Sequence, residues 1–456
     1  MSWAMTELEK RGIPTVDICT EAWGVCGACE KAAPIYGMPN LPWAPIPAAA
    51  ETYENEPGNV EQMEEAAALA LPDIIAGLTT PLETLVEEVA VQQIATPGGA
   101  ETPTSETITF SGKDYDEALD KFQQMFDEWG LSGGFTVVPP TKERVEAMLA
   151  GTSHSPDELV EALCDPQGQA TIRKIAINAV MAGCEPEYLP VVVAGVKAAK
   201  AAELHLNTWV PVLMWLNGPI IEELNIVTTR SPGPASGTAS KPNLAIGRAV
   251  NLCYQNIGGR WGDKVPLVTG ENEALNPWEP FHVEKGYDAN TSTISAFSSA
   301  SKPIELWVGP KGLSTGTPDE TLYAITHSIR GLNLYPTYGG LPCAIGSDAV
   351  VLLTPQYAPL IADAGWTKAD FKEYLWHNTG ITMGDLRKAK GFQLVYWDYY
   401  NPGLDELDDD VMIPPVLKPE HFQVIVVGGA TGFSPGWYCS GSSNGYTATE
   451  SIDDWR

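Results

Sequence analysis

Three short, largely apolar runs, at residues 210–216, 349–354 and 423–428, most constrain how this chain folds. Each is rich in Val, Leu and Ile and too short for an ordinary helix. Runs of this kind read as strands buried on both faces of a sheet. Segments with helical apolar spacing stand between and before them, at Val60–Ala76, Asp114–Trp129 and Asn243–Ile257. Strands alternating with helices place the chain in the α/β class. The expected architecture has two or more lobes built from Rossmann-like β/α units with mixed or parallel sheets.

The Gly/Pro/Thr-rich stretch 96–107 reads as a linker, which leaves a β/α domain over 1–95 and one or more α/β domains over 108–456. The first domain opens with a strand at Thr15–Thr20, and a Pro-rich stretch, Pro39–Pro47, interrupts it. In the second, short strands are expected at Ile108–Phe110 and Phe135–Val138. Helices are expected from Thr141, a suitable N-cap, over Pro355–Ala364, and from Thr367. No internal repeat is visible.

Asp and Glu number 58 against 27 Lys and Arg, a net charge of −31, and no Lys or Arg occurs between Ala32 and Gly112. Such a field repels nucleic acid and anionic membranes, so neither is expected as a partner. No apolar run reaches the roughly 20 residues of a membrane span. The N-terminal MSWAMTELEKRG has no apolar core of the kind a secretory signal needs, so a cytoplasmic protein is expected.

The eight cysteines are too sparse for a disulfide framework, and the six histidines form no HxH or HxxxH pair. No residue set is therefore assigned to a metal or a cofactor. Gly428, Gly429 and Gly432 follow the last apolar run, but no regular helix follows them, which is unlike a phosphate loop. Cys26-Gly-Ala-Cys29 is a lone CxxC and weak as a redox signal.

The candidate site residues lie at element boundaries. In KIAINAVMAGCEPEYLPVVVAGVKAA, an apolar helix stops at Gly183-Cys184 and a second begins around Pro186, which suits a first helical turn. A cysteine at a helix start favours the thiolate, and the adjacent carboxylates oppose it. Cys184 is a candidate nucleophile, with Glu187 three residues on as its acid or base. The competing reading is a small residue packed between two helices, with Glu185 and Glu187 simply favourable in a first turn. Asn217-Gly218-Pro219 ends the strand 210–216, where ligands gather in α/β sheets, so Asn217 and Gly218 are candidates for substrate binding. An ordinary Asn-Gly turn is the alternative. Arg248 and Asn251 share one face of the helix 243–257 with Gln255, opposite an apolar face, and are further binding candidates. His282, in NPWEPFH, is a candidate for proton transfer with Glu279 placed to orient it; a structural histidine is the alternative.

Several long segments together resemble the UGSC-like family, named for a selenocysteine-Gly-Ser-Cys motif. They are ELEKRGIPTV, FTVVPPTKERVEAMLAGT, ATIRKIAINAVMAGCEPEYLPVVVAG, LNGP, NLAIGRAVNLCYQNIGG, NPWEPFHVEKG, LIADAGWTKADFKEYL and VIVVGGATG, in that order. The resemblance implies that Cys184, Glu187, Asn217, Arg248 and His282 converge on one cleft, mainly neutral, with Arg248 as its chief positive charge. It departs at the N-terminus, where the family's motif precedes the helix before GIPTV. Cys26-Gly-Ala-Cys29 lies downstream, so the redox role is not carried over to it. Either this subfamily works without the motif or a partner chain supplies it.

Two functions follow as expectations. The first is an enzyme acting on a small polar organic molecule by cysteine- and carboxylate-assisted chemistry: elimination, hydration or hydrolysis, or thiol-linked reduction. The second is a non-catalytic subunit, or a metal- or thiol-binding protein, completed by a partner chain. A sheet edge without its family's first strand needs covering, so a homo-oligomer or a hetero-oligomer with a second subunit is expected near residues 1–40.

Overall fold

A computed structural model describes residues 9, 12–20, 42–46, 60–79, 107–163, 168–202, 212–228, 240–258, 265–298, 304–306, 317–333, 348–388, 406–428, 436–440 and 446–456. Cys26, Cys29, Gly429 and Gly432 lie outside the described residues, as does nearly all of the linker. The chain divides into two compact units, Met1–Gly134 with Lys390–Asp405, and Phe135–Ala389 with Glu406–Arg456.

In the first unit, β1 (Asp17–Thr20) pairs in parallel with β2 (Trp43–Ile46). Helix α1 (Val60–Thr79) follows, with Pro72 inside it, and then α2 (Tyr115–Glu128). Asp114 caps α2 by accepting from the Glu117 N–H, which satisfies one of the orphan donors of a helix start. The strand expected at Ile108–Phe110 is not formed. The Phe110 ring instead packs edge-on to Phe122 of α2, at 5.5 Å.

The second unit begins with the extended segment 135–140, which is also not a strand. Its backbone groups find partners without one: the Val138 N–H donates to Met181, and the Phe135 and Thr136 carbonyls accept from Arg248. Helix α3 (Lys142–Leu149) starts at the expected cap Thr141. A small antiparallel pair, β3 (Leu159–Ala162) and β4 (Gln169–Thr171), leads into α4 (Ile172–Ala182). Then come α5 (Leu189–Ala201), β5 (Val212–Asn217), α6 (Lys241–Asn256) and β6 (Leu267–Gly270). A one-turn helix α7 (Phe281–Glu284), β7 (Thr293–Ser298) and β8 (Ile304–Glu305) complete this half.

The other half repeats the plan: α8 (Pro318–Asn333), β9 (Ala349–Leu353), α9 (Ala358–Asp363) and α10 (Lys368–Asn378). Thr367 and Asp370 form a reciprocal capping box at the start of α10. A short antiparallel pair, β10 (Ile381–Thr382) with β11 (Met412–Ile413), precedes β12 (Phe422–Val426), β13 (Gly436–Ser440) and β14 (Thr447–Ser451). The three apolar runs thus supply strands β5, β9 and β12, and every residue of these strands is buried.

Two four-stranded mixed sheets result, in the orders β14-β7-β5-β6 and β12-β9-β13-β8. In each, one parallel pair (β5 with β6, β9 with β12) adjoins an antiparallel partner (β7, β13), and a second antiparallel strand closes the other edge. The edge strands are exchanged. β8 leaves the first half to pair with β13, and β14 returns from the second half to pair with β7. This is an internal repeat of topology that the sequence did not reveal.

Alternation along each strand explains the layers. Leu213, Trp215 and Phe297 of one sheet pack with Val350, Leu352, Ile425 and Cys439 of the other. Their neighbours Val351, Leu353, Val424 and Val426 face Ile325, Ile329, Phe371 and Leu375 on helices α8 and α10. The unit is therefore α/β with mixed parallel and antiparallel sheets. Among the described residues, no helix is long and apolar enough to cross a membrane.

Candidate functional site

Strands β5 and β6 run in parallel and end side by side, Leu216 opposite Gly270. The next residue on each strand is polar: Asn217, fully buried, and Glu271, 1% exposed. The Asn217 amide donates from Nδ2 to Glu271 Oε2, and to Glu273 Oε1 at 2.8 Å. The Gly218 N–H donates to the same Glu273 oxygen, at 2.8 Å. Gly218 has φ +81, and a Cβ there would lie 2.3 Å from the Thr291 carbonyl oxygen. Only glycine allows this turn to bring its N–H to Glu273.

Glu271 is held from further sides. The Phe281 N–H donates to its Oε2 and the Asn276 amide to its Oε1, each at 2.8 Å. Burial raises its carboxyl from an ordinary 4.5 to about 7, against the opposing pull of Lys368 and these donors. The Phe281 ring packs edge-on to Trp215 of β5, at 5.0 Å, which anchors α7 and places His282 beside Glu273. His282 is fully buried. Its Nε2 meets the Ala289 carbonyl at 3.3 Å, so Nε2 carries the hydrogen in that bond. Its Nδ1 has no hydrogen-bond partner and stands 3.6 Å from Glu273 Oε1. Asn217 Oδ1 is likewise buried without a partner.

Glu271 and Glu273 open onto a cavity of about 450 Å³, formed by the loops that follow β5 and β6. Gly218, Ile221, Glu222 and Asn272 also line it. So does Asn225, whose φ of 55 makes it the one non-glycine residue with positive φ among the described residues. Asn is among the few side chains that take this conformation readily.

The residues expected to converge fall into two groups. Asn217, Gly218 and His282 belong to the carboxylate cluster. Cys184 and Arg248 lie together elsewhere, with Lys241 and Glu185, and no described hydrogen bond or ion pair joins the two groups. The expected helix start at Cys184 is replaced by a different local structure. Gly183 closes α4 in the left-handed region, φ 82, and Glu185 precedes a three-residue 3-10 turn, Pro186–Tyr188. No α-helix N-terminus faces the thiol, and burial pushes it up to about 12 despite Lys241 and Arg248 nearby. Glu187 is exposed and makes no described bond to Cys184. The Lys241 ammonium pairs with Glu185, at 2.6 Å.

Arg248 donates through Nη2 to the Thr136 and Phe135 carbonyls, at 2.7 and 3.2 Å, and its guanidinium lies over the Phe135 ring. It holds backbone and does not line the cavity, so the expected neutral cleft with Arg248 as its positive charge is corrected to an acidic one. Asn251 is half-buried on the same helix face, away from the cavity lining. Glu279 is exposed, and its backbone carbonyl accepts from Lys368. Glu273, and not Glu279, is the carboxylate beside His282. Sequence reasoning missed Glu271, Asn272 and Glu273. The available signal was Gly-Glu-Asn-Glu directly after the short apolar run Leu267-Val268-Thr269, the same strand-end position that singled out Asn217.

Among the described residues, no group of three His, Cys, Asp or Glu side chains is placed to hold a metal ion. No family model matches the chain, and neither a curated protein nor a solved structure matches it.

Proposed function

We propose that this chain is an enzyme acting on a small polar organic molecule by carboxylate-assisted proton transfer, in the cavity at the ends of β5 and β6. The observation that carries this reading is the comparison of the two halves. By register, Leu216 and Gly270 correspond to Leu353 and Val426, so Asn217 corresponds to Thr354 and Glu271 to Val427. The Glu271 N–H donates to Leu216 just as the Val427 N–H donates to Leu353. The second half makes the same strand ends with a threonine and a valine. The architecture does not need a buried amide and carboxylate there, and burying them is costly.

In this reading Glu271, whose carboxyl titrates near neutrality, gives a proton to the substrate or takes one from it. Asn217 fixes the spacing of the two carboxylates, and the Gly218 N–H positions Glu273. Elimination, hydration or hydrolysis fits such a site better than thiol chemistry, because Cys184 stands apart with a high pKa. The likeness to the UGSC-like family belongs to the same proposal: its LNGP and NPWEPFHVEKG segments carry Asn217, Gly218 and His282. A cytoplasmic oligomer is also proposed. It is supported by Leu69, Leu71 and Ile75, all exposed on α1, and light scattering tests it.

A second reading, a non-catalytic binding subunit, is favoured by one observation. Both Glu271 oxygens already accept hydrogen bonds from protein donors. Incubating a panel of small hydroxy, keto and amino compounds with the protein in D2O, followed by proton NMR, separates the two. Deuterium uptake or turnover by the wild type, lost in Glu271→Gln, supports the enzyme. Turnover that survives Glu271→Gln refutes Glu271 as the proton carrier.

A further inference from the structure

We propose that this cavity takes a small aliphatic amine, its ammonium group held by Glu273 with Glu222 and Glu271 completing an acidic wall. The inference rests on the cavity being the working site, as proposed above, and adds the chemical class of its occupant. The charge of the lining is one-sided. Glu222, Glu271 and Glu273 line the cavity, and among the described lining residues there is no Lys or Arg. A carboxylate or phosphate substrate would meet uncompensated repulsion there.

Glu273 is the natural anchor. Its Oε1 is held by Asn217 and Gly218, and no described residue donates to Oε2. Beside it, the buried His282 Nδ1 lacks a partner and faces Glu273 Oε1 on the cavity wall, while Nε2 is tied to Ala289, another lining residue. With the hydrogen on Nε2, Nδ1 presents a lone pair behind Glu273, so His282 supplies no donor that competes for this carboxylate. An ammonium group supplies three donors. Ile221, Ile226 and Ala274 supply the apolar remainder of the lining, which suits an alkyl chain. A cavity of about 450 Å³ is within the range of small-molecule sites. An amine fits better than a metal ion, because the described carboxylates and His282 do not converge as metal ligands.

The test uses n-butylamine, 1-butanol and butyrate, matched in size and differing in charge, titrated against the full chain by saturation-transfer NMR. Ionic strength of about 0.15 M limits general attraction to an acidic protein, since charges then interact over about 8 Å. Butylamine is expected to bind saturably at one site, butanol about tenfold more weakly or worse, and butyrate not at all. Glu273→Gln is expected to weaken butylamine by about 10-fold or more, as loss of a charge-assisted bond does. Glu222→Gln, an exposed position that does not threaten folding, should weaken it about threefold, and Glu373→Gln on the surface of α10 should leave it unchanged. Butylamine binding that is non-saturable, or equal in wild type, Glu273→Gln and Glu222→Gln, overturns the proposal. So does binding of calcium ions at this site in place of butylamine. If butylamine binds through Glu273 while Glu271→Gln leaves deuterium uptake intact, the proton-transfer reading fails and the amine site stands. The reverse pattern fails the amine site alone.

Discussion

Replacing Glu271 by Gln separates the charge of the buried carboxyl from its shape. Glu271 is 1% exposed, and burial lifts its carboxyl from 4.5 to about 7. Because the folded-state value is the higher one, the native protein binds more protons than the unfolded chain between those values. Stability from this group is therefore fully present below pH 4.5 and is lost as pH rises to about 7. The gap of about 2.5 in pKa, at about 1.36 kcal/mol for each whole step, amounts to roughly 3 kcal/mol. Glutamine cannot ionise, so Glu271→Gln should lack this loss. It keeps a carbonyl for the Phe281 N–H and the Asn217 amide, but its own amide faces Asn276, which costs about 1 kcal/mol at every pH. The measurement is urea unfolding followed by tryptophan fluorescence, for both proteins, from about pH 5 to pH 8.5. The difference in stability, variant minus wild type, should grow by roughly 2–3 kcal/mol across that range. The many surface carboxylates contribute equally to both proteins and cancel. A difference that stays constant with pH would refute the raised carboxyl and with it the role assigned to Glu271.

Three further outcomes are expected. Glu284 is the shared partner of two largely buried lysines, Lys368 and Lys372, so Glu284→Gln should destabilise by about 3–5 kcal/mol in urea unfolding; a loss under about 1 kcal/mol would show that the lysines escape to water. The Cys184 thiol, half-buried and raised to about 12, should react with iodoacetamide at pH 8 more slowly in the native protein than in urea, read by peptide mass spectrometry; native labelling as fast as unfolded would contradict the protonated thiol. His154 is raised chiefly by its bond to Glu158, and its ring also meets the Asp454 carbonyl, at 2.7 Å. As a base with an elevated folded-state pKa, it stabilises most below pH 6.5 and loses that contribution as pH rises through the raised value. Hydrogen exchange at residues 452–456 should accelerate between pH 6 and 8, after correction for intrinsic rates, and His154→Gln should abolish that change.

The two halves show how one topology carries a polar site on one side only. In both, a backbone N–H after the second strand of the parallel pair donates to the last residue pair of the first. In the second half the side chain at that place, Val427, joins Ile425 and Leu352 in the apolar layer between the sheets. In the first half it is Glu271, tied to Asn217 and Phe281. The exchanged edge strands β8 and β14 bind each half into the other's sheet. Neither half can therefore keep its sheet without the other, and the asymmetry of the site lies within one cooperative unit.

What the sequence determined by itself was local. The apolar runs supplied β5, β9 and β12 because a largely apolar stretch of five or six residues is stable only where both faces are covered. Asp114, Thr141 and Thr367 marked helix starts because a cap bond spans three residues of the same chain segment. Asn217 was legible as a strand end. The tertiary structure alone decided which strands pair, and so that Glu271, 54 residues from Asn217, shares its amide. It decided that Arg248 spends its guanidinium on carbonyls 112 and 113 residues away, and that Cys184 meets no α-helix N-terminus. Periodicity and capping are properties of neighbours along the chain. Burial, and the carboxyl pKa that burial sets, belong to groups the fold brings in from a distance.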